Sequence, residues 1–121
     1  MIGLGIDAVE IDRFRRVLGR RPGLARRLFT EAEQAYGARF LDPAPRLAAR
    51  FAAKEAAMKA LGVGIGAFAF RDVEVVRAAS GAPTLRVSGA AAALAGRRGV
   101  TQFHVSITHT DRTAEAVVAA L

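Results

Sequence analysis

Apolar positions recur along this chain at two spacings, and the switches between them predict its elements. Ile2, Leu4 and Ile6 alternate with Gly3, Gly5 and Asp7, which predicts a short strand with one bare face, ending in a carboxylate. Ile11, Phe14 and Leu18 then take helical spacing until Gly19 and Pro22-Gly23 break it. Thr30-x-x-Glu33 is a capping box and opens a helix through about Phe40. Asp42-Pro43-Ala44-Pro45 reads as a turn, followed by a long helix from about 45 to 61. Val73 and Val75 mark a strand, Ser80-Gly81-Ala82-Pro83 turns it, and Thr84 to Val87 returns as its hairpin partner. An Ala-rich helix at about 88–97 leads to a final hairpin, Thr101 to Thr108 and Ala114 to Leu121, turning at His109 to Arg112. The order β-α-α-α-α-β-β-α-β-β is that of a single α+β domain, a mostly antiparallel sheet packed with a long central helix.

The long helix carries the unusual chemistry. With Phe51 as origin and about 100° per residue, Leu47, Met58 and Gly62 fall within about 40° of it, and so does Glu55. A carboxylate therefore stands inside the apolar stripe. Lys59 follows at i+4, in the favourable order, so the simplest reading is a solvated ion pair at the stripe's edge. The alternative is that Glu55 looks into a cleft and binds a cation. Asp7 invites the same choice: it could cap the next helix, or the bare glycines beside it could leave room for a ligand. Together, Asp7 and Glu55 offer two oxygen ligands and no nitrogen or sulfur, a set suited to Mg²⁺, which keeps several waters and accepts substrate phosphates. Lys59 and Lys54, the chain's two lysines, would then face those phosphates. Gly62, Gly64 and Gly66 follow a helix where a phosphate-cradling loop would precede one, so they read first as a helix stop and a loop. His109 is either an incidental hairpin residue or a donor or base beside a phosphate.

Composition narrows the partners. A chain of 121 residues suffices for one domain, and its 52% hydrophobic content is inflated by alanine, so the core favours completion against another subunit. There is no cysteine, which excludes disulfides and thiolate metal sites and suits a reducing cytoplasm. The opening MIGLGIDAVEIDR meets Asp7 too early for a signal peptide or a membrane span. The net charge of +7 is concentrated: Arg13, Arg15, Arg16, Arg20, Arg21, Arg26 and Arg27 precede the next acidic residue, Glu31. The aromatic residues among and beside them, Phe14 and Phe29, fall at core-like positions rather than as stacking platforms, which favours an acidic protein over a nucleic acid as their partner.

Four segments, GIDAVEIDR (5–13), RFAAKEAAMKALG (50–62), SGAPTLRV (80–87) and HVSITHT (104–110), resemble in that order the holo-[acyl-carrier-protein] synthases, which are 4′-phosphopantetheinyl transferases. The resemblance covers nearly the whole chain, and two long motifs at matching spacing make it specific. It implies the 4′-phosphopantetheinyl transferase fold over residues 1–121. The implied reaction transfers the phosphopantetheine arm of coenzyme A to a serine of apo acyl carrier protein, releasing adenosine 3′,5′-bisphosphate, in fatty acid biosynthesis. It implies Mg²⁺ held by Asp7 and Glu55, Lys59 toward the phosphates, and a homotrimer with active sites between subunits. Arg50, Lys59, Gly62, Gly64, Gly81, Pro83, His109 and Thr110 would bind coenzyme A. Arg13, Arg20, Arg21, Arg26 and Arg27 would meet the acidic carrier. Glu55, a water held by the metal, or His109 could take the serine proton. Two other classes stay open at this point: a Mg²⁺-dependent nucleic-acid-processing enzyme, whose binding would be salt-sensitive, and a non-catalytic trimeric binding module.

Overall fold

The computed structural model describes residues 1–121. Strand β1 (Gly3–Glu10) leads into α1 (Ile11–Arg20), α2 (Leu24–Leu28), α3 (Glu31–Gly37) and α4 (Ala44–Ala60). A 3-10 turn at Phe70–Asp72 opens the hairpin β2 (Val73–Arg77) and β3 (Pro83–Val87), followed by α5 (Gly89–Arg97), β4 (Phe103–His109) and β5 (Thr113–Ala120). The strands form two antiparallel sheets, β1-β5-β4 and β2-β3. The order and type of the expected elements hold, and the fold is α+β.

Helix α4 lies at the centre because it is apolar on nearly every side. Alanines 48, 52, 53, 56 and 57 are all fully buried, and they let neighbouring backbones approach closely. One core joins α4 to the β1-β5-β4 sheet, the β2-β3 hairpin and α5. A second joins it to α1 and α2 through Ile11, Phe14, Leu28 and Phe29. Phe14 contacts Phe29 edge-on at 6.2 Å, and Phe51 lies between Phe14 and Phe70 at 5.4 and 5.5 Å.

Strand β1 departs from the expectation in two ways. It does not end at Asp7: the strand continues through Ala8, Val9 and Glu10, paired with Glu115, Ala114 and Thr113. Asp7 is therefore a mid-strand residue opposite Ala116, and α1 starts after Glu10 without a side-chain cap. The glycine face is not open for a ligand either. A Cβ on Gly3 would lie 1.8 Å from the Ala60 carbonyl oxygen, and one on Gly5 1.9 Å from that of Ala56. The room left by the missing side chains is filled by the backbone of α4. Leu4 and Ile6 consequently face outward, 61% and 64% exposed, beside Val117 on β5.

The α3 helix stops at Gly37 rather than near Phe40, where Gly37 packs against Leu47. Its capping box forms as expected: Thr30 Oγ1 accepts from the Glu33 amide, and the Glu33 carboxylate accepts from the Thr30 amide. His109 is the last residue of β4 rather than part of the turn, and Gly81 takes a φ of 89° in the β2-β3 turn. No helix is long and apolar enough to cross a membrane.

Candidate active site

Asp7 and Glu55 come together. Asp7 reaches past the glycines on the helix-facing side of β1, and Glu55 projects from α4 one turn beyond Phe51; both line one cavity of about 500 Å³. Its other walls include Phe14, Val17, Leu24, Phe51 and Ile65, with Arg13 and Arg21 also at the lining. Lys59 Nζ donates to the Ile6 carbonyl at 2.9 Å and to Asp7 Oδ1 at 3.1 Å. The lysine thus pairs with Asp7 rather than with Glu55, and the simple i,i+4 pair does not form.

Glu55 is half-buried and has no hydrogen-bonding or ion-pair partner in the chain. Burial raises its pKa above the ordinary glutamate value, the Asp7 charge raises it further, and Lys59 pulls the other way. A carboxylate in that position would be stabilised in its charged form by a neighbouring cation. No cluster of three or more His, Cys, Asp or Glu side chains is present. Two carboxylates beside an accessible cavity nonetheless fit Mg²⁺, which takes one or two protein oxygens and fills its octahedron with water and phosphate.

Lys54 does not join them. It is fully buried, and its ammonium donates to Glu33 Oε1 at 2.7 Å, to the Phe70 carbonyl at 3.1 Å and to the Val73 carbonyl. Glu33 also accepts from the Val75 amide at 3.0 Å. The expectation that Lys54 faces phosphates is corrected. At the stripe's flank it points at α3 and β2, because the apolar surface of α4 wraps further than an amphipathic stripe would. All three ammonium protons are used inside the protein.

A second group forms across α4. Arg50, Gly81, Pro83 and His109 line a cavity of about 250 Å³ with Tyr36, Arg46 and Arg77. Arg50 is only 7% exposed, has no carboxylate partner, and its Nε lacks a hydrogen-bond acceptor. Its guanidinium lies 4.0 Å from the centre of the Tyr36 ring. Burial lowers the Arg50 pKa, with the largest opposition from Tyr36. A buried, unpaired guanidinium among other arginines is suited to an anion. Sequence reasoning missed Arg46, Arg77 and Tyr36; Arg46 could have been found, since it stands one helical turn before Arg50.

The remaining candidates divide. Gly62 ends α4 with a φ of 74°, and Gly64 is exposed in the loop that follows; neither lines these two cavities. The Thr110 hydroxyl accepts from the amides of Arg112 and Thr113, so it shapes the last turn. Arg21, Arg26 and Arg27 surround Pro22 and Gly23 on one surface, with Arg20 exposed beside them. Arg15 is tied to Asp12 and Asp42 and is not free for a partner.

Comparison with known proteins gives a consistent result. The profile described as the 4′-phosphopantetheinyl transferase superfamily matches residues 3–120. A holo-[acyl-carrier-protein] synthase of Frankia casuarinae is 47% identical over 99% of this chain and 97% of its own length. One from Streptomyces avermitilis is 51% identical over the same shares. Among solved structures, the synthase of Neisseria meningitidis superposes with a TM-score of 0.91 at 32% identity, covering 100% of this chain and 98% of its own. The Helicobacter pylori synthase, solved in complex with coenzyme A, gives 0.86 at 29% identity, covering 98% and 99%.

Proposed function

The chain belongs to the holo-[acyl-carrier-protein] synthase family of 4′-phosphopantetheinyl transferases, and we propose that residues 1–121 form one Mg²⁺-dependent transferase domain. Its reaction moves 4′-phosphopantetheine from coenzyme A to a serine of an acidic apo acyl carrier protein, in the cytoplasm and for fatty acid biosynthesis. The observation that carries this reading is the unpaired Glu55 carboxylate beside Asp7 on one cavity wall, with Lys59 bonded to Asp7.

In the proposed reaction the serine oxygen attacks the phosphorus that bears the pantetheine arm. The new P–O bond forms as the bond to adenosine 3′,5′-bisphosphate breaks, and the serine proton leaves to a base. Asp7 and Glu55 would hold Mg²⁺, which supplies neutralisation of the pyrophosphate charge. Lys59 places a compact positive charge beside the same phosphates while its bond to the Ile6 carbonyl fixes its direction. Glu55, with a pKa raised by burial and by Asp7, and His109 remain the side chains able to accept the proton. Arg50, Gly81, Pro83 and His109 would take the 3′-phosphate and adenine, with Gly62, Gly64 and Thr110 contributing backbone and turn surface nearby.

These two groups line different cavities with α4 between them, which supports a site completed between subunits. The exposed Leu4, Ile6 and Val117 on the outer face of the β1-β5-β4 sheet supply an apolar surface for a homotrimer. Arg13, Arg20, Arg21, Arg26 and Arg27 then remain at the surface for the carrier.

The test is calorimetric titration of Mg²⁺ into the protein saturated with coenzyme A. Binding that is lost in both Asp7→Ala and Glu55→Ala supports the reading. Unchanged Mg²⁺ affinity in both variants would remove these residues from the metal site.

A further inference from the structure

Tyr36 is the chain's only tyrosine, and the structure sets it against arginines on several sides. Its ring supports Arg50 at 4.0 Å, and its hydroxyl accepts from Arg77 Nη1 at 2.7 Å. The ring centre also lies 5.6 Å from the guanidinium carbons of both Arg39 and Arg77. Arg77 stands on β2 and Arg50 on α4, so the tyrosine of α3 links two elements that both line the arginine-lined cavity.

This arrangement solves a specific problem. Arg50 is buried with no carboxylate partner, so nothing of opposite charge fixes its guanidinium before an anion arrives. A carboxylate could hold it, but would cancel the charge the anion must meet. An aromatic face holds a guanidinium by its quadrupole and by stacking while leaving the net charge in place. The Arg77 bond then fixes the ring from its far end. The cavity keeps its arginines pre-positioned, and the ordering cost is met before binding.

We infer that Tyr36 is a positioning residue that holds Arg50 in the cavity, and so sets how strongly the enzyme prefers a nucleotide carrying a 3′-phosphate to one without it. The inference rests on the proposed placement of that phosphate. Coenzyme A and dephospho-coenzyme A share the pyrophosphate, the adenine and the arm, and differ only in this group. Tyr36 touches none of Asp7, Glu55 and Lys59, which stand at the other cavity, so its part is to place Arg50 rather than to act on the transferring phosphate.

The experiment is a comparison of KM and kcat for coenzyme A and dephospho-coenzyme A in the wild type, Tyr36→Phe and Tyr36→Leu, with thermal melts on each. Tyr36→Leu is expected to raise KM for coenzyme A by about tenfold or more, with kcat and the dephospho-coenzyme A constants little changed. Tyr36→Phe keeps the ring and is expected to retain most of the preference. A folded Tyr36→Leu that keeps the wild-type ratio between the two substrates, or that loses both substrates equally, overturns the inference. If the leucine variant does not fold, a Tyr36→Gln variant supplies the same comparison. A wild type that shows no preference overturns both the inference and the phosphate placement beneath it, whereas a preference that survives Tyr36→Leu overturns the inference alone.

Discussion

Lys59 reaches from α4 to the Asp7 carboxylate at 3.1 Å, and Glu55, one turn earlier on the same helix, is left without a cation. The helix thus supplies one charge that is satisfied and one that is not. That imbalance has a consequence for pH. Burial, then the Asp7 charge, holds the Glu55 pKa above its ordinary value, so the folded chain retains this proton to higher pH than the unfolded chain does. Stability from this group is complete below the ordinary glutamate pKa and is lost as pH rises through the higher folded value. In metal-free buffer, Glu55→Gln should therefore melt at a higher temperature than the wild type near neutral pH, and the difference should shrink in acid. A constant difference at every pH would contradict this.

The two lysines should behave oppositely. Lys54 is sealed against Glu33 and two carbonyls, and removing one member of a buried pair leaves the other uncompensated. Lys54→Ala should lose about 3–5 kcal/mol in urea unfolding, and the combined Lys54→Met, Glu33→Leu chain should recover part of it. Lys59 is exposed beside Asp7, so Lys59→Ala should leave stability nearly unchanged and lower kcat. Equal stability losses in the two single variants would show that Lys54 is not the structural member.

The close approach of β1 to α4 makes a sharp prediction for glycine. A Cβ at Gly5 would fall 1.9 Å from a backbone oxygen that cannot rotate away, so Gly5→Ala should cost more than the usual overpacking range of about 1–3 kcal/mol. Gly19 has nothing within 4 Å of its Cβ position and lies in a helix. There, Gly19→Ala should stabilise by about 0.5–1 kcal/mol. Denaturant midpoints measure both.

Leu4 and Ile6 are exposed on a sheet face that the proposed trimer would cover. Leu4→Glu should lower the solution mass toward that of one chain by light scattering and abolish transfer, since each proposed site needs residues from two subunits. A variant that stays assembled and active would place the interface elsewhere.

How much of this was legible depends on the range of the interaction. Element order, the capping box at Thr30 and Glu33, and the company of Asp7 with Glu55 followed from local spacing and from the motifs that resemble the family. The fate of Lys54 did not, because it turns on Glu33, twenty-one residues away, and on carbonyls presented by another element. The role of Gly3 and Gly5 was misread for a similar reason: an absent side chain signals close approach but does not say whether ligand or helix approaches. Tyr36 gave no local signal, since its meaning comes from Arg50 and Arg77 on two other elements.

The most direct measurement is the intact mass of an apo acyl carrier protein after incubation with this protein, coenzyme A and Mg²⁺, repeated with Glu55→Ala and with a chelator. The account predicts that the carrier gains the mass of one phosphopantetheine with the wild type and metal, and gains nothing in either control. No gain across several apo carriers would contradict the proposed transfer, and a gain that persists with Glu55→Ala would remove Glu55 from the metal site.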